Sequence, residues 1–412
     1  MNDGSTTANA ITDFAPGKPR DRRLRLVLRF ARCIQAGKLN IVLPDGSTHH
    51  FEGPEPGPSA TLIIHDPRMV AKLAFGGALG LAESYLDGMW GSPHVTEVLR
   101  LGTANEAAFD AMFLRGKPWA RFVSWAIHRL RPNTRKGAKR NIAEHYDLGN
   151  DFYTAWLDPT MSYSSAYYGS GANDLVGAQQ EKYRQLCRAL ELQPGMSVLE
   201  IGCGWGGFAE LAASEFGVIV TGITLSKEQL AYAQARMQKA GLADRVTLRL
   251  EDYRDTRGSF DRIASIEMFE AVGEEYWPAY FNTLRDRLKP GGKAGLQVIT
   301  IADRLFADYR KTADFIQRHV FPGGMLPSPA RLREEIAAAG LHLRETLWFG
   351  QDYAETLKTW QANFQARWGQ ITGLSAQYDE RFKRLWEFYL GYSEVGFAAG
   401  FTDVGQIVIH RP

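Results

Sequence analysis

The sequence predicts an α/β protein: a doubly wound parallel sheet preceded by a small α+β domain. Segments of strand and helix character alternate from Val198 to Ile299, the pattern that gives a parallel sheet covered by helices on both faces. Between the first of those strands and its helix lies Gly202-Cys203-Gly204-Trp205-Gly206-Gly207, a turn far richer in glycine than a plain connection needs. The chain has 412 residues, of which 45% are hydrophobic and 23% charged, enough for two domains with a large core.

A net charge of +2, spread over the whole chain, points to no class of partner. Cys33, Cys187 and Cys203 are widely spaced and odd in number. They fit a reducing, cytoplasmic compartment and argue against a disulfide framework or a structural zinc site, so no metal is expected. The first residues contain no apolar signal region, and no run of about 18 apolar residues occurs. Any membrane association is therefore expected to be peripheral.

Residues 1–20 are small and polar, with Pro16 and Pro19, and are expected to be a disordered tail. An N-terminal α+β domain is expected over 21–114. Its first helix is Leu24 to Ile34, where apolar residues recur at helical spacing. Leu39 to Leu43, the Pro44-Asp45-Gly46 turn and His49 to Phe51 read as a hairpin, with Thr61 to Ile64 as a further strand. Two short helices, Pro67 to Phe75 and Leu79 to Leu86, follow. His49, His50, His65 and His94 match no metal spacing.

Residues 115–140 carry nine Lys or Arg and no acid, interleaved with Trp119, Phe122, Trp125 and Ile127. Two readings stand: a solvated linker, or a contact with an anionic membrane surface in which each cation contributes about 1 kcal/mol. Nucleic acid ranks behind both because no recognition motif accompanies the charge.

The larger domain is expected over 141–412. Val198 to Ile201 is its first strand, followed by the glycine turn and a helix over Phe208 to Phe216. Val218 to Gly222, Val246 to Leu250, Ile263 to Ile266 and Lys293 to Ile299 are the next strands. Helices fall at Lys227 to Lys239 and Tyr280 to Leu288, the latter stopped by Lys289-Pro290-Gly291-Gly292. A late strand, Gln406 to His410, closes the sheet. Helices Ala354 to Trp368 and Ala376 to Tyr392, rich in Trp, Phe and Tyr, suggest a lid over an apolar pocket.

In such a sheet the ligand lies at the carboxyl ends of the strands. The glycine turn is there, as are Asp252 and Tyr253 after the third strand and Glu267 with Glu270 after the fourth. Glycines let the backbone turn with unusual dihedrals and approach a ligand closely, while the new helix points its amides at it. A dinucleotide site wants G-x-G-x-x-G and an acid after the second strand. Here the spacing is G-x-G-x-G-G and that strand runs into Ile223-Thr224-Leu225-Ser226. Glu200, two residues before the first glycine, offers a carboxylate to an ammonium group, so S-adenosylmethionine (SAM) is favoured over NAD.

Glu144 to Tyr168 (EHYDLGNDFYTAWLDPTMSYSSAYY), VLEIGCGWGG, GITLSKEQ, LEDYRD, SIEMFEAVG, LKPGG, FIQRHVFPGGMLPS and WEFYLGYSEVGF together resemble the cyclopropane fatty acid synthases and their mycolic acid methyltransferase relatives. The resemblance runs from about Asn141 to the C-terminus, and the extra N-terminal domain looks like that of the synthases acting on membrane phospholipids. It implies a seven-stranded class I SAM-methyltransferase sheet with helical lid insertions. It also implies transfer of a one-carbon unit to the double bond of an unsaturated phospholipid acyl chain. The alkene takes the methyl group, a carbocation forms beside the new carbon, and a base removes a proton so that a cyclopropane closes. A homodimer is compatible with it.

Carried over by motif, Tyr163, Ser164, Gly202, Cys203, Gly204, Trp205, Gly206, Thr224, Leu225, Gln229, Asp252 and Tyr253 join Glu200 as the SAM site, with Gln229 as the ribose ligand. At the reaction end the family holds bicarbonate as base with a Cys, a Glu-His pair, a further His, an Ile and a Tyr. The matching residues here are Ser165, Glu270 with Ala271, Gln297, Ile299 and Tyr353. A further family Cys is Ser393, followed by Glu394. Both nearby imidazoles are missing, which puts bicarbonate and ring closure in question. A methyl-branched or exomethylene chain is the closest alternative, with Glu270 or Glu394 as base. A non-catalytic lipid-binding protein on a methyltransferase fold is the alternative from another class.

Overall fold

The computed structural model describes residues 21–113 and 148–412; the expected tail 1–20 and the basic stretch 115–140 lie outside them. The chain divides into two units, Met1–Arg115 and Gly116–Pro412.

In the first unit, Asp21 caps helix α1 (Arg22–Ala31), which buries Leu24, Val27, Leu28 and Ala31. Strands β1 (Ala36–Val42) and β2 (Thr48–Glu52) form the expected antiparallel hairpin. Strand β3 (Glu55–Ile64) pairs parallel to β1, and short β4 (Trp90–Gly91) completes the order β2-β1-β3-β4. The two short helices anticipated after β3 are one segment, α2 (Met69–Leu86), broken at Gly77, whose φ of 56° and ψ of −138° only glycine adopts readily. Helices α3 (Val95–Ala104) and α4 (Glu106–Phe113) end the unit. Asn105 ties α3 to β1, its carbonyl accepting from the Gln35 and Ala36 amides at 2.6 and 3.0 Å.

Among its described residues the second unit starts with helices α5 (Asn150–Trp156) and α6 (Leu175–Ala189). The sheet follows: β5 (Ser197–Ile201), α7 (Gly207–Phe216), β6 (Ile219–Thr224), α8 (Lys227–Lys239), β7 (Val246–Leu250), β8 (Phe260–Ile266), α9 (Trp277–Arg287) and β9 (Leu288–Ile301). Short α10 (Asp303–Tyr309) and α11 (Phe315–His319), then α12 (Pro329–Ala338), β10 (His342–Trp348), α13 (Gly350–Thr372), α14 (Glu380–Ala398) and β11 (Thr402–His410) complete the chain. The seven strands run in the order β10-β11-β9-β8-β5-β6-β7. The central pairs are parallel, while β11 is antiparallel to β9 and to β10. Val198, Leu199, Ile263, Ala294 and Leu296 are fully buried because helices cover both faces.

The structure moves some boundaries. Strand β9 begins at Leu288, so Lys289-Pro290-Gly291-Gly292 belongs to the strand's start. Strand β11 lies inside the sheet, and the edge beyond it is β10, which alternates weakly and stays largely exposed. A strand with so little apolar surface carries little sequence signal.

Candidate active site

A cleft opens at the carboxyl ends of β5, β6, β7 and β8. Tyr163, Ser164, Glu200, Gly202, Cys203, Gly204, Trp205, Thr224, Leu225, Gln229 and Tyr253, eleven of the thirteen residues expected to bind SAM, line it. Gly202, Gly204 and Gly206 have φ values of +83°, +51° and +84°, the left-handed region that glycine permits. At Gly202 a Cβ would also meet the Met268 side chain at 2.8 Å. The turn is pinned from behind, since the Gly202 and Cys203 amides both donate to the Ile223 carbonyl at 3.0 Å. Thr224 donates to the Gln229 side-chain carbonyl at 3.0 Å, and Ser226 caps α8 by accepting from the Gln229 amide. The Trp205 indole donates to Asn150 at 2.7 Å.

Two predicted residues lie beside the cleft instead of on its wall. Gly206 forms the start of α7, against Ala233 and Met237. Asp252 is gripped by the Arg254 guanidinium at 2.8 and 2.6 Å, and the acid on the wall at this strand end is Glu251.

Glu200 supplies the test of fit for SAM. Its side chain is 3% exposed, and Oε2 has no hydrogen-bond partner among the described residues. Burial pushes its pKa well above the usual carboxylate range, against the opposing charge of Arg236. A buried carboxylate oxygen without a partner is costly, and a ligand ammonium beside a glycine turn is what would complete it. The residues present fit the amino-acid end of SAM.

The end of the cleft where the reacting groups were expected is built around a residue outside the predicted set. Glu267, just after β8, lines the same cleft. Its Oε1 accepts from the Ser165 amide and from Gln297 Nε2, both at 2.8 Å, and its Oε2 accepts from the Tyr353 hydroxyl at 2.7 Å. Three expected residues, from the 162–165 loop, β9 and α13, thus converge on one carboxylate. Gln297 is fixed in turn by Gln406 of β11, which donates to its Oε1 at 3.1 Å. Lys182 of α6 is fully buried beneath, donating to Ser164 Oγ at 2.6 Å and Gln179 Oε1 at 2.5 Å. Burial lowers its pKa to about 7, opposed by the charges of Glu267 and Asp158. Burial raises the pKa of Glu267, while Lys182 and the three donors pull it down.

Glu270 accepts from the Ile299 amide at 2.5 Å through Oε1, and its Oε2 has no partner among the described residues. Burial and the charge of Glu267 push it up to about 8. Around this end stand aromatic rings. Tyr163 and Trp360 have centroids 5.4 Å apart, Tyr353 and Trp360 6.1 Å, and Tyr163 donates to Tyr389 at 2.9 Å. Ser393 and Glu394 lie about one helical turn beyond Tyr389 on α14, and Glu394 is buried.

A model of the family described as mycolic acid cyclopropane synthetase matches residues 133–407. The chain belongs to this family. It is 37% identical over 388 residues to a tuberculostearic acid methyltransferase of Mycobacterium tuberculosis, covering 90% of this chain and 88% of that one. It is 38% identical over 359 residues to the cyclopropane-fatty-acyl-phospholipid synthase of Escherichia coli, covering 85% and 88%. The crystal structure of a mycolic acid cyclopropane synthase complexed with SAH and CTAB superposes with a TM-score of 0.62 at 33% identity, covering 66% of this chain and 98% of that one. The mycolic acid cyclopropane synthetase fold is thus that of a SAM-dependent C-methyltransferase, and SAM is the methyl donor.

Sequence reasoning placed Glu267 at the carboxyl end of a strand without giving it a role; that position was the available signal. Lys182, Gln179, Gln406, Tyr389 and Trp360 gave none, because each reads as an ordinary member of a helix or strand until the chain is folded.

Proposed function

We propose that this member of the family transfers a one-carbon unit from SAM to the double bond of an unsaturated acyl chain in a membrane phospholipid, with a cyclopropane as the default product. The observation that carries this reading is the joining, at one end of the cleft, of the SAM wall, a set of aromatic faces and two partly buried carboxyl groups. When bound there, SAM supplies a methyl group on a sulfonium. The remaining work falls to the protein. Trp360, Tyr163 and Tyr389 offer faces that attract a cation, and Glu267, held by three donors, carries negative charge where a carbocation must be stabilised without water. Neither reactant is activated, so holding them in line is a large part of the catalysis. The aromatic and apolar side chains of α13 and α14, among them Leu357, Trp360, Phe364 and Trp386, suit a hydrocarbon, each buried methylene contributing about 0.8 kcal/mol.

A second reading, a methyl-branched or exomethylene product, is favoured by Ala271, Gln297 and Ser393 in place of the family's residues. A relative named a tuberculostearic acid methyltransferase supports it. Proton NMR of phospholipid recovered after incubation with SAM separates the two, ring methylene signals marking the first and vinylidene signals or a branch-methyl doublet the second. Unaltered lipid alongside turnover of SAM would refute both. No helix among the described residues is long and apolar enough to cross a membrane. Access to lipid is proposed to come through peripheral contact of the basic stretch 115–140 with an anionic surface, the protein residing in the cytoplasm.

A further inference from the structure

We infer that Glu267 is itself the base that removes the proton from the transferred carbon, so that the reaction runs without bicarbonate. This rests on the function proposed above and names a catalytic residue for it.

Bicarbonate does not fit the position that the resemblance gives it. Ser165, Gln297 and Tyr353 are the residues expected around that anion, and each already donates to Glu267, at 2.8, 2.8 and 2.7 Å. A carboxylate and a bicarbonate present the same charge and the same planar pair of oxygens, so donors arranged for one serve the other. With Glu267 in place, an added anion finds those donors spent and lies beside the Glu267 carboxylate. Like charges at one site disfavour each other.

The backbone supports the same conclusion. Glu267 has a φ of +49°, one of only three non-glycine residues with positive φ among the described residues. A glycine would adopt that conformation without strain. A glutamate held there by three donors indicates that the side chain is required, since strain of this kind clusters at functional sites. The carboxylate lines the SAM cleft together with Glu200 and Gly202, so it faces the space next to the methyl donor. Gln297 cannot turn its amide away easily, because Gln406 holds its carbonyl side.

In the step itself, a Glu267 oxygen takes a proton from the transferred carbon. The C–H electron pair left behind closes the bond to the cationic carbon, or forms the exomethylene double bond once the cation has moved to the methyl-bearing carbon. Glu267 becomes a neutral acid and returns its proton to water when the product leaves the cleft.

The test uses the full chain, Glu267→Gln and Glu267→Gly. In carbonate-free buffer the unaltered protein turns over lipid at its full rate, and added bicarbonate changes nothing. Glu267→Gln loses about 10²–10⁴-fold in kcat with SAM affinity retained. Glu267→Gly relieves the backbone and frees the donors, so it binds bicarbonate and regains turnover when bicarbonate is added. Titration of ¹³C-bicarbonate followed by NMR gives a readout independent of lipid: saturable binding to Glu267→Gly and none to the unaltered protein. Bicarbonate-dependent turnover or saturable bicarbonate binding by the unaltered protein, or full turnover by Glu267→Gln, overturns the proposal. Failure of every lipid to react would count against the proposed function, and the bicarbonate titration would still decide this inference.

Discussion

Replacing Tyr353 with Phe deletes one oxygen from the wall behind Glu267 and leaves the ring packed on Phe397, whose centroid lies 4.4 Å away. The lost bond is 2.7 Å long and made to a partly buried carboxylate. A hydrogen bond to a charged group contributes about 1.5–3 kcal/mol. If all of that is lost in the transition state, the rate falls about 10- to 150-fold. Tyr353 does not line the SAM cleft, so the KM for SAM stays within about twofold. The assay is a single-turnover time course with unsaturated phospholipid vesicles and excess enzyme, quenched and read by mass spectrometry. Combined with Glu267→Gln, the two effects should be far from additive, because both act on the same carboxylate. An unchanged single-turnover rate, or a loss confined to KM, would refute the claim that Tyr353 orients the reacting group.

Glu200→Gln should weaken SAM binding by about tenfold, as the loss of one buried ionic contact implies, while the thermal midpoint without SAM holds or rises because Oε2 of Glu200 has no hydrogen bond to lose; calorimetry and a thermal scan check the pair. Gly202→Ala places a Cβ 2.8 Å from Met268 at a φ of +83°. It should cost at least about 1–2 kcal/mol of stability, read as a lower thermal midpoint, with SAM binding impaired. Glu270, pushed up to about 8 from 4.5, keeps a proton in the folded state that the unfolded chain has released. Its contribution to stability is therefore full below pH 4.5 and lost as pH rises through 8. Urea midpoints at pH 5 and pH 8.5 should fall less for Glu270→Gln than for the unaltered protein; this difference isolates Glu270 from Lys182, whose depressed pKa of about 7 acts in the opposite direction above neutrality. Binding to anionic vesicles should weaken between 0.1 and 1 M salt as the Debye length shrinks from about 10 to about 3 Å, and salt-insensitive sedimentation would remove the electrostatic role proposed for residues 115–140.

The cofactor half of the site was legible because its chemistry is local. Gly202, Gly204 and Gly206 take positive φ within one turn, and Glu200 precedes them in the strand that leads into it, so nearby residues carried the whole signal. Helix α8 appears with the expected bounds, Lys227–Lys239, and Ser226 caps it. The reaction half was only partly legible because it is assembled from distant segments. Ser165 and Gln297 are separated by 132 residues and Tyr163 and Tyr389 by 226. The resemblance supplied several of these positions, but Glu267 emerged as their common acceptor only from the fold. Asp252 reads in sequence as a member of the SAM site, yet Arg254, two residues on, takes its carboxylate. Strand β10 escaped notice because an edge strand with mostly exposed side chains lacks the apolar run that marks β5 or β9.

The most direct test of the account is the deuterium content of phospholipid recovered after reaction with SAM bearing a trideuterated methyl group, in buffer freed of carbonate. A product formed at the full rate and retaining two deuterons means that one proton left the transferred carbon to a base carried by the chain, as Glu267 requires. A product retaining three deuterons, or one formed only after bicarbonate is restored, would contradict it.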